Sequence, residues 1–105
     1  MELPNLDYIE QLSAGDTAFR QKLVDTIKSE LPQEIKEYYN NLQNKDYKAA
    51  AGNVHKLKHK ISVFGMGKSY YIAEEYEKNL LENSEKLKNE FEDVLVAMND
   101  FTTGL

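Results

Sequence analysis

The chain has 105 residues, room for one continuous hydrophobic core and too few for two. Its 41% hydrophobic and 30% charged residues are the make-up of a chain that folds alone. It has no cysteine, which excludes disulfides, thiolate metal centres and a cysteine nucleophile, and its net charge of −5 argues against general nucleic-acid binding.

No internal repeat, low-complexity tract or linker divides the chain, and its apolar periodicity is helical throughout. A short first helix is predicted from Leu6 to Leu12, ending near Ala14 and Gly15, where a glycine can take the left-handed conformation that closes a helix. Asp16 caps a second helix with the stripe Phe19, Leu23, Ile27 and Leu31, continued by Ile35, Tyr38 and Leu42. Pro32 lies inside it and is expected to kink the rod or divide it in two. Asn44 and Asp46 mark the next turn. Asp46 caps a third helix running to about Phe64, with Tyr47, Ala50, Val54, Leu57, Ile61 and Phe64 inward.

Gly65 and Gly67 interrupt the pattern before a fourth helix from about Lys68 to Glu82, with Ile72, Ala73, Tyr76 and Leu80 inward. Asn83 and Ser84 supply a break and a cap for a last helix that carries Leu87, Phe91, Val94, Met98 and Phe101. The expected fold is all-α: one domain over residues 1–105, an antiparallel up-down four-helix bundle flanked by a short extra N-terminal helix. Tyr38, Tyr39, Tyr70, Tyr71 and Tyr76 fall at bundle-facing spacing and are expected in the core and its rim rather than as base-stacking platforms.

Charge is unevenly placed. From Lys45 to Lys68 the chain has six lysines (Lys45, Lys48, Lys56, Lys58, Lys60 and Lys68) against one acid, Asp46, inside an otherwise acidic protein. This segment reads either as an ordinary solvated helix face or as a docking face for an acidic partner or a phosphate.

On a wheel of about 100° per residue, the apolar stripe of the third helix lies roughly 130° from His55, so the imidazole points to solvent. Lys48, Ala51, Gly52, Lys58, His59 and Ser62 lie within about 60° of it on the same wheel. Ala51 and Gly52, one turn earlier, leave space for another protein to approach the ring. Gly52 reads equally as a packing glycine or as mere tolerance, at a cost of about 1 kcal/mol against Ala in mid-helix. Lys58, one turn after His55, is placed to set its ammonium against a phosphoryl group on the ring.

From His55 the sequence HKLKHKISVFGMGKSYYIAEEYE resembles the phosphoacceptor motif of the histidine phosphotransfer family. The matching positions are His55, Leu57, Lys58, Gly65, Ala73, Tyr76 and Glu77. His59 stands where the family has Gly, and Ser69 where it usually has an apolar residue. Gly15-Asp16, a long helix with an internal Pro and Asp46 opening the histidine helix are similar to the family's layout, so nearly the whole chain is covered.

The resemblance implies a phosphocarrier without a kinase site of its own, taking a phosphoryl group on His55. Lys58 would contact the phosphoryl group, Glu77 would orient the imidazole, and Lys48, Ala51, Gly52, His59, Ser62 and Gly65 would form the docking face. The implied partners are the receiver domain of a response regulator, a hybrid sensor kinase, or both. The receiver would bring the acceptor aspartate and Mg²⁺, and this chain no cofactor. His59 refills part of the space a glycine leaves open; it would serve as a second phosphate contact, restrict which partner docks, or disable transfer.

A non-phosphorylated adaptor that binds a receiver or kinase is the competing reading. A helical metal-binding protein using His55 and His59 at i, i+4 is a third, opposed by Lys56, Lys58 and Lys60 on the same turn. No Gly-rich phosphate loop, membrane-spanning run or signal peptide is visible, which leads to the expectation of a cytoplasmic monomer that binds neither membrane nor nucleic acid. A Met start and a complete bundle favour a free-standing carrier.

Overall fold

Asp16 and Asp46 open the two longest helices of the computed structural model, which describes residues 2–105. The Asp16 carboxylate accepts from the Phe19 N–H at 3.0 Å and that of Asp46 from the Ala49 N–H at 3.2 Å. Each satisfies a donor that the first helical turn leaves without a partner. The helices are α1 Asp7–Ser13, α2 Thr17–Gln43, α3 Tyr47–Val63, α4 Gly67–Leu81 and α5 Lys88–Thr103, and no strand occurs among the described residues. Among those residues no helix is long and apolar enough to cross a membrane.

Pro32 does not divide α2, which runs unbroken for 27 residues. The missing Pro32 N–H frees the carbonyl of Lys28, and both residues are exposed, so water can take the lost partner's place. At 1.5 Å per residue α2 is about 40 Å long and sets the 44 Å long dimension of the molecule.

Helix α3 packs between α2 and α4, and α5 packs on α4 and α2, while α1 lies against α2. Asn41 of α2 donates to Asn53 of α3 at 2.6 Å, and further along, Lys60 of α3 reaches Glu34 and Glu30 of α2 at 2.9 and 3.2 Å. Because α3 ends close to the level of Glu30, the first turns of α2 extend beyond it. Phe19 is therefore exposed, against the expected stripe, and Val24 takes the buried place. Ile27, Leu31, Tyr38 and Leu42 are buried as predicted, and Leu23 and Ile35 lie at the margin.

The core centres on Tyr38, Tyr76 and Phe91, whose ring centroids lie 5.1 to 6.2 Å apart. The Tyr38 hydroxyl donates to Glu92 Oε2 at 2.9 Å, so the 2.7 Å bond between the two phenols is donated by Tyr76. Burial raises both hydroxyls, Tyr76 to about 12 and Tyr38 well beyond the ordinary phenol range, the Tyr76 bond and Glu92 adding to the effect at Tyr38. Tyr70 is half-buried; Tyr39 and Tyr71 are exposed rather than at core positions.

Ser84 does not cap the last helix. Its hydroxyl accepts from the Lys86 N–H in a local turn, the Asn79 amide donates to the Lys86 carbonyl, and α5 begins three residues after Glu85 with Leu87 in the left-handed region at φ 78°. Glu85 in that connection accepts from Lys45 and Tyr47 at 2.9 and 2.7 Å, tying it to the turn between α2 and α3.

Residues 2–6 form a strap across the opposite turn, between α3 and α4. The Glu2 carboxylate accepts the N–H groups of Ser69 and Lys68 at 2.9 and 3.1 Å, and the Asn5 N–H donates to the Phe64 carbonyl at 2.9 Å. Burial raises the Glu2 carboxyl, but these donors at the start of α4 outweigh it and hold it below the usual range.

Candidate functional site

The stripe Ala50, Val54, Leu57 and Ile61 is fully buried and pins α3 against the core, which turns His55 outward with about half of its side chain exposed. Because α3 has a neighbour on each side, its buried arc is wider than one stripe. Asn53 and Lys60, seven residues or about two turns apart, face α2. Ala51 and Lys58, also seven apart, occupy the opposite flank. Lys58 there meets α4.

Two assignments change in consequence. Ala51 is buried at 3% exposure and belongs to the helix contact, not to the outer face. Lys58 is also buried, and its ammonium is directed at α4 instead of standing free beside the ring.

Glu77 is where the flank residues converge. Ala73, Tyr76 and Leu80 anchor α4 in the core, and Glu77, next to Tyr76, emerges toward α3. Its carboxylate oxygens lie 3.2 and 3.3 Å from His55 Nδ1, and Oε1 accepts from Lys58 Nζ at 3.2 Å. A carboxylate only accepts, so Nδ1 carries a proton toward Glu77, and in the neutral ring Nε2 is then the nitrogen with the free lone pair. The Lys58 ammonium also lies 5.5 Å from the centre of the Tyr70 ring, a contact absent from the expected site.

His59 is exposed and stands edge-to-face against His55, with centroids 5.2 Å apart and planes at 90°. Gly52, Lys48 and Ser62 are exposed along the same side of α3. A Cβ at Gly52 would touch no neighbouring element, so packing within this chain does not require the glycine. Gly52→Ala is accordingly expected to raise stability by about 1 kcal/mol, an increase of some 4–8 °C in the thermal midpoint of a domain this size, read by circular dichroism.

Gly65 has a structural role that the docking assignment overlooked. It sits at φ 73°, and a Cβ there would lie 2.8 Å from Asn5 Nδ2 of the strap. Ser69, the other departure from the family pattern, is buried where its N–H bonds Glu2.

Half of the lysines in the basic segment are paired with acids of other elements. Lys45 pairs with Glu85, Lys58 with Glu77 and Lys60 with Glu34 and Glu30, while Lys48, Lys56 and Lys68 make no ion pair among the described residues. The free positive face is half of what the lysine count suggested. Among the described residues no group of three or more His, Asp or Glu side chains is placed to hold a metal ion.

Comparison of the chain with protein-family models, curated proteins and solved structures found no match.

Proposed function

We propose that this chain is a histidine phosphotransfer domain: a phosphorelay carrier that accepts a phosphoryl group on His55 from a receiver-domain aspartate and passes it to another. The observation that carries the reading is Glu77 at 3.2 Å from His55 Nδ1, which leaves Nε2 as the exposed nucleophile. The contact order supports the finer architecture, an antiparallel up-down bundle of α2 to α5 with α1 as a flank. Asn41 meets Asn53 and Glu30 meets Lys60, which favours opposite directions for α2 and α3, and Tyr76–Phe91, with Asn79 bonded to Lys86 in the turn before α5, favours the same reversal between α4 and α5.

The chemistry asks little of the carrier. Nε2 attacks the phosphorus of the partner's aspartyl phosphate in line, an N–P bond forms, and the P–O bond to the aspartate breaks as that carboxylate leaves. The proton stays on Nδ1, where Glu77 stabilises the positive charge the ring gains. The return transfer reverses each step. Positioning and charge stabilisation dominate such reactions, so the chain needs no kinase machinery; Mg²⁺ belongs to the receiver's acidic pocket. The reading places the carrier in the cytoplasm, working as a monomer with a receiver domain or a hybrid sensor kinase.

Incubation with a phosphorylated receiver domain is expected to give an acid-labile, base-stable label that His55→Gln abolishes. A label that survives His55→Gln, or none from several receivers, would overturn the carrier. The His59 ring against His55 favours one second reading, an adaptor that docks without accepting phosphate. In that case His55→Gln leaves receiver binding intact and no phosphohistidine forms.

A further inference from the structure

We propose that the positive contact to a phosphoryl group on His55 comes from His59, and that Lys58 is a positioning residue that holds Glu77; this rests on the phosphoacceptor reading above. The sequence alone assigns the contact to Lys58. Its ammonium is committed elsewhere: it bonds Glu77 Oε1 at 3.2 Å, lies 5.5 Å from the centre of the Tyr70 ring, and its side chain is only 10% exposed. All of this lies on the Nδ1 side of His55. The phosphoryl group would grow from Nε2, and the two nitrogens point in diverging directions from the ring.

To reach that group Lys58 would have to leave a nearly dry ion pair and strand Glu77, the group that fixes the tautomer. The same pair therefore works as a clamp. Lys58 draws one carboxylate oxygen while His55 Nδ1–H meets both, which holds the Glu77 side chain in the crevice between α3 and α4.

His59 has the opposite situation. It is exposed, it sits one turn along the same face, and its ring is already against His55 with 5.2 Å between centroids. A P–N and a P–O bond added at Nε2 extend far enough to place phosphoryl oxygens beside a ring at that separation. The charged neighbours are few. From α3 there are His55, Lys56, Lys58 and Lys60, the last bonded to Glu34 and Glu30 of α2; from α4 there is Glu77, joined to Lys58 behind His55. With a phosphoryl dianion on Nε2, a His59 ring N–H donates it a charge-assisted hydrogen bond. The residue at the family's glycine position thus stabilises the phosphorylated state.

The test loads the full chain with phosphoramidate, which phosphorylates accessible imidazoles without a partner protein, and follows phosphohistidine at residue 55 by ³¹P NMR and mass spectrometry. His59→Gln is expected to shorten its lifetime about tenfold, the factor that about 1.4 kcal/mol corresponds to. His59→Lys should restore the lifetime. Lys58→Met should slow loading severalfold and leave the lifetime unchanged, and Lys58→Arg should recover the loading rate.

A lifetime shortened by Lys58→Met and untouched by His59→Gln would return the contact to Lys58 and overturn the proposal. A lifetime that His59→Lys fails to restore would also overturn it, since a purely steric role gives that result. Receiver-dependent labelling is scored separately: its absence removes the carrier reading, whereas a lifetime indifferent to His59 removes only this inference.

Discussion

Glu77→Ala is expected to lower the rate of phosphoryl uptake from a phosphorylated receiver by at least about 100-fold, within the 10²–10⁴ range for a positioned group that manages a proton. The loss has two parts. Without a carboxylate on Nδ1 the imidazole samples the tautomer that carries its proton on Nε2, which has no lone pair to offer, and the ring also gains freedom to rotate out of line. Glu77→Gln keeps an acceptor for Nδ1–H but loses the charge that balances the phosphorylated ring, so its rate should fall between the two. Rapid-quench kinetics with a labelled receiver measures all three. Uptake by Glu77→Ala at the rate of the unaltered chain would remove Glu77 from the mechanism.

The same substitution strands Lys58, whose side chain is 10% exposed and has lost its counter-ion. Stability should therefore fall along with rate. Adding Lys58→Met to Glu77→Ala removes the stranded charge, and the double variant should recover much of the thermal midpoint without recovering uptake. That outcome separates an imidazole left without its partner from a site that is merely less folded.

What the sequence made legible was local. Asp16 and Asp46 identify their helix starts because a cap needs only three residues of context. His55 is recognisable as outward-facing because four buried side chains of its own helix fix the wheel. What stayed hidden depends on neighbours. Ala51 and Lys58 turn inward because α4 lies along that flank, and the exposure of Phe19 follows from where α3 stops. Neither can be found by reading one helix at a time. The strap carries no period, so nothing in residues 2–6 announced that Glu2 would meet the start of α4. Leu87 gives no hint either, since a left-handed leucine contradicts the residue's own preference. Glu77 came from resemblance rather than spacing: the acidic stretch from Glu74 to Glu77 offers three carboxylates, and only the register of α4 selects one.

Gly65→Ala is expected to cost about 2–4 kcal/mol, lowering the thermal midpoint by roughly 8–32 °C at about 4–8 °C per kcal/mol for a domain of this size. A left-handed residue with a Cβ accounts for about 1–2 kcal/mol of that. The remainder comes from Asn5, which a Cβ would meet at 2.8 Å. An asparagine side chain can move, but this one is occupied: its Oδ1 accepts the Asp7 N–H at 3.0 Å at the start of α1, while its backbone N–H holds the Phe64 carbonyl. Displacing it loosens the strap and uncaps α1 together. The double variant Asn5→Ala, Gly65→Ala should be no less stable than Gly65→Ala alone, because the collision is gone and the cap was already lost. A loss under about 0.5 kcal/mol for Gly65→Ala would show that the strap yields without cost, and that the glycine is free to belong to the docking face after all.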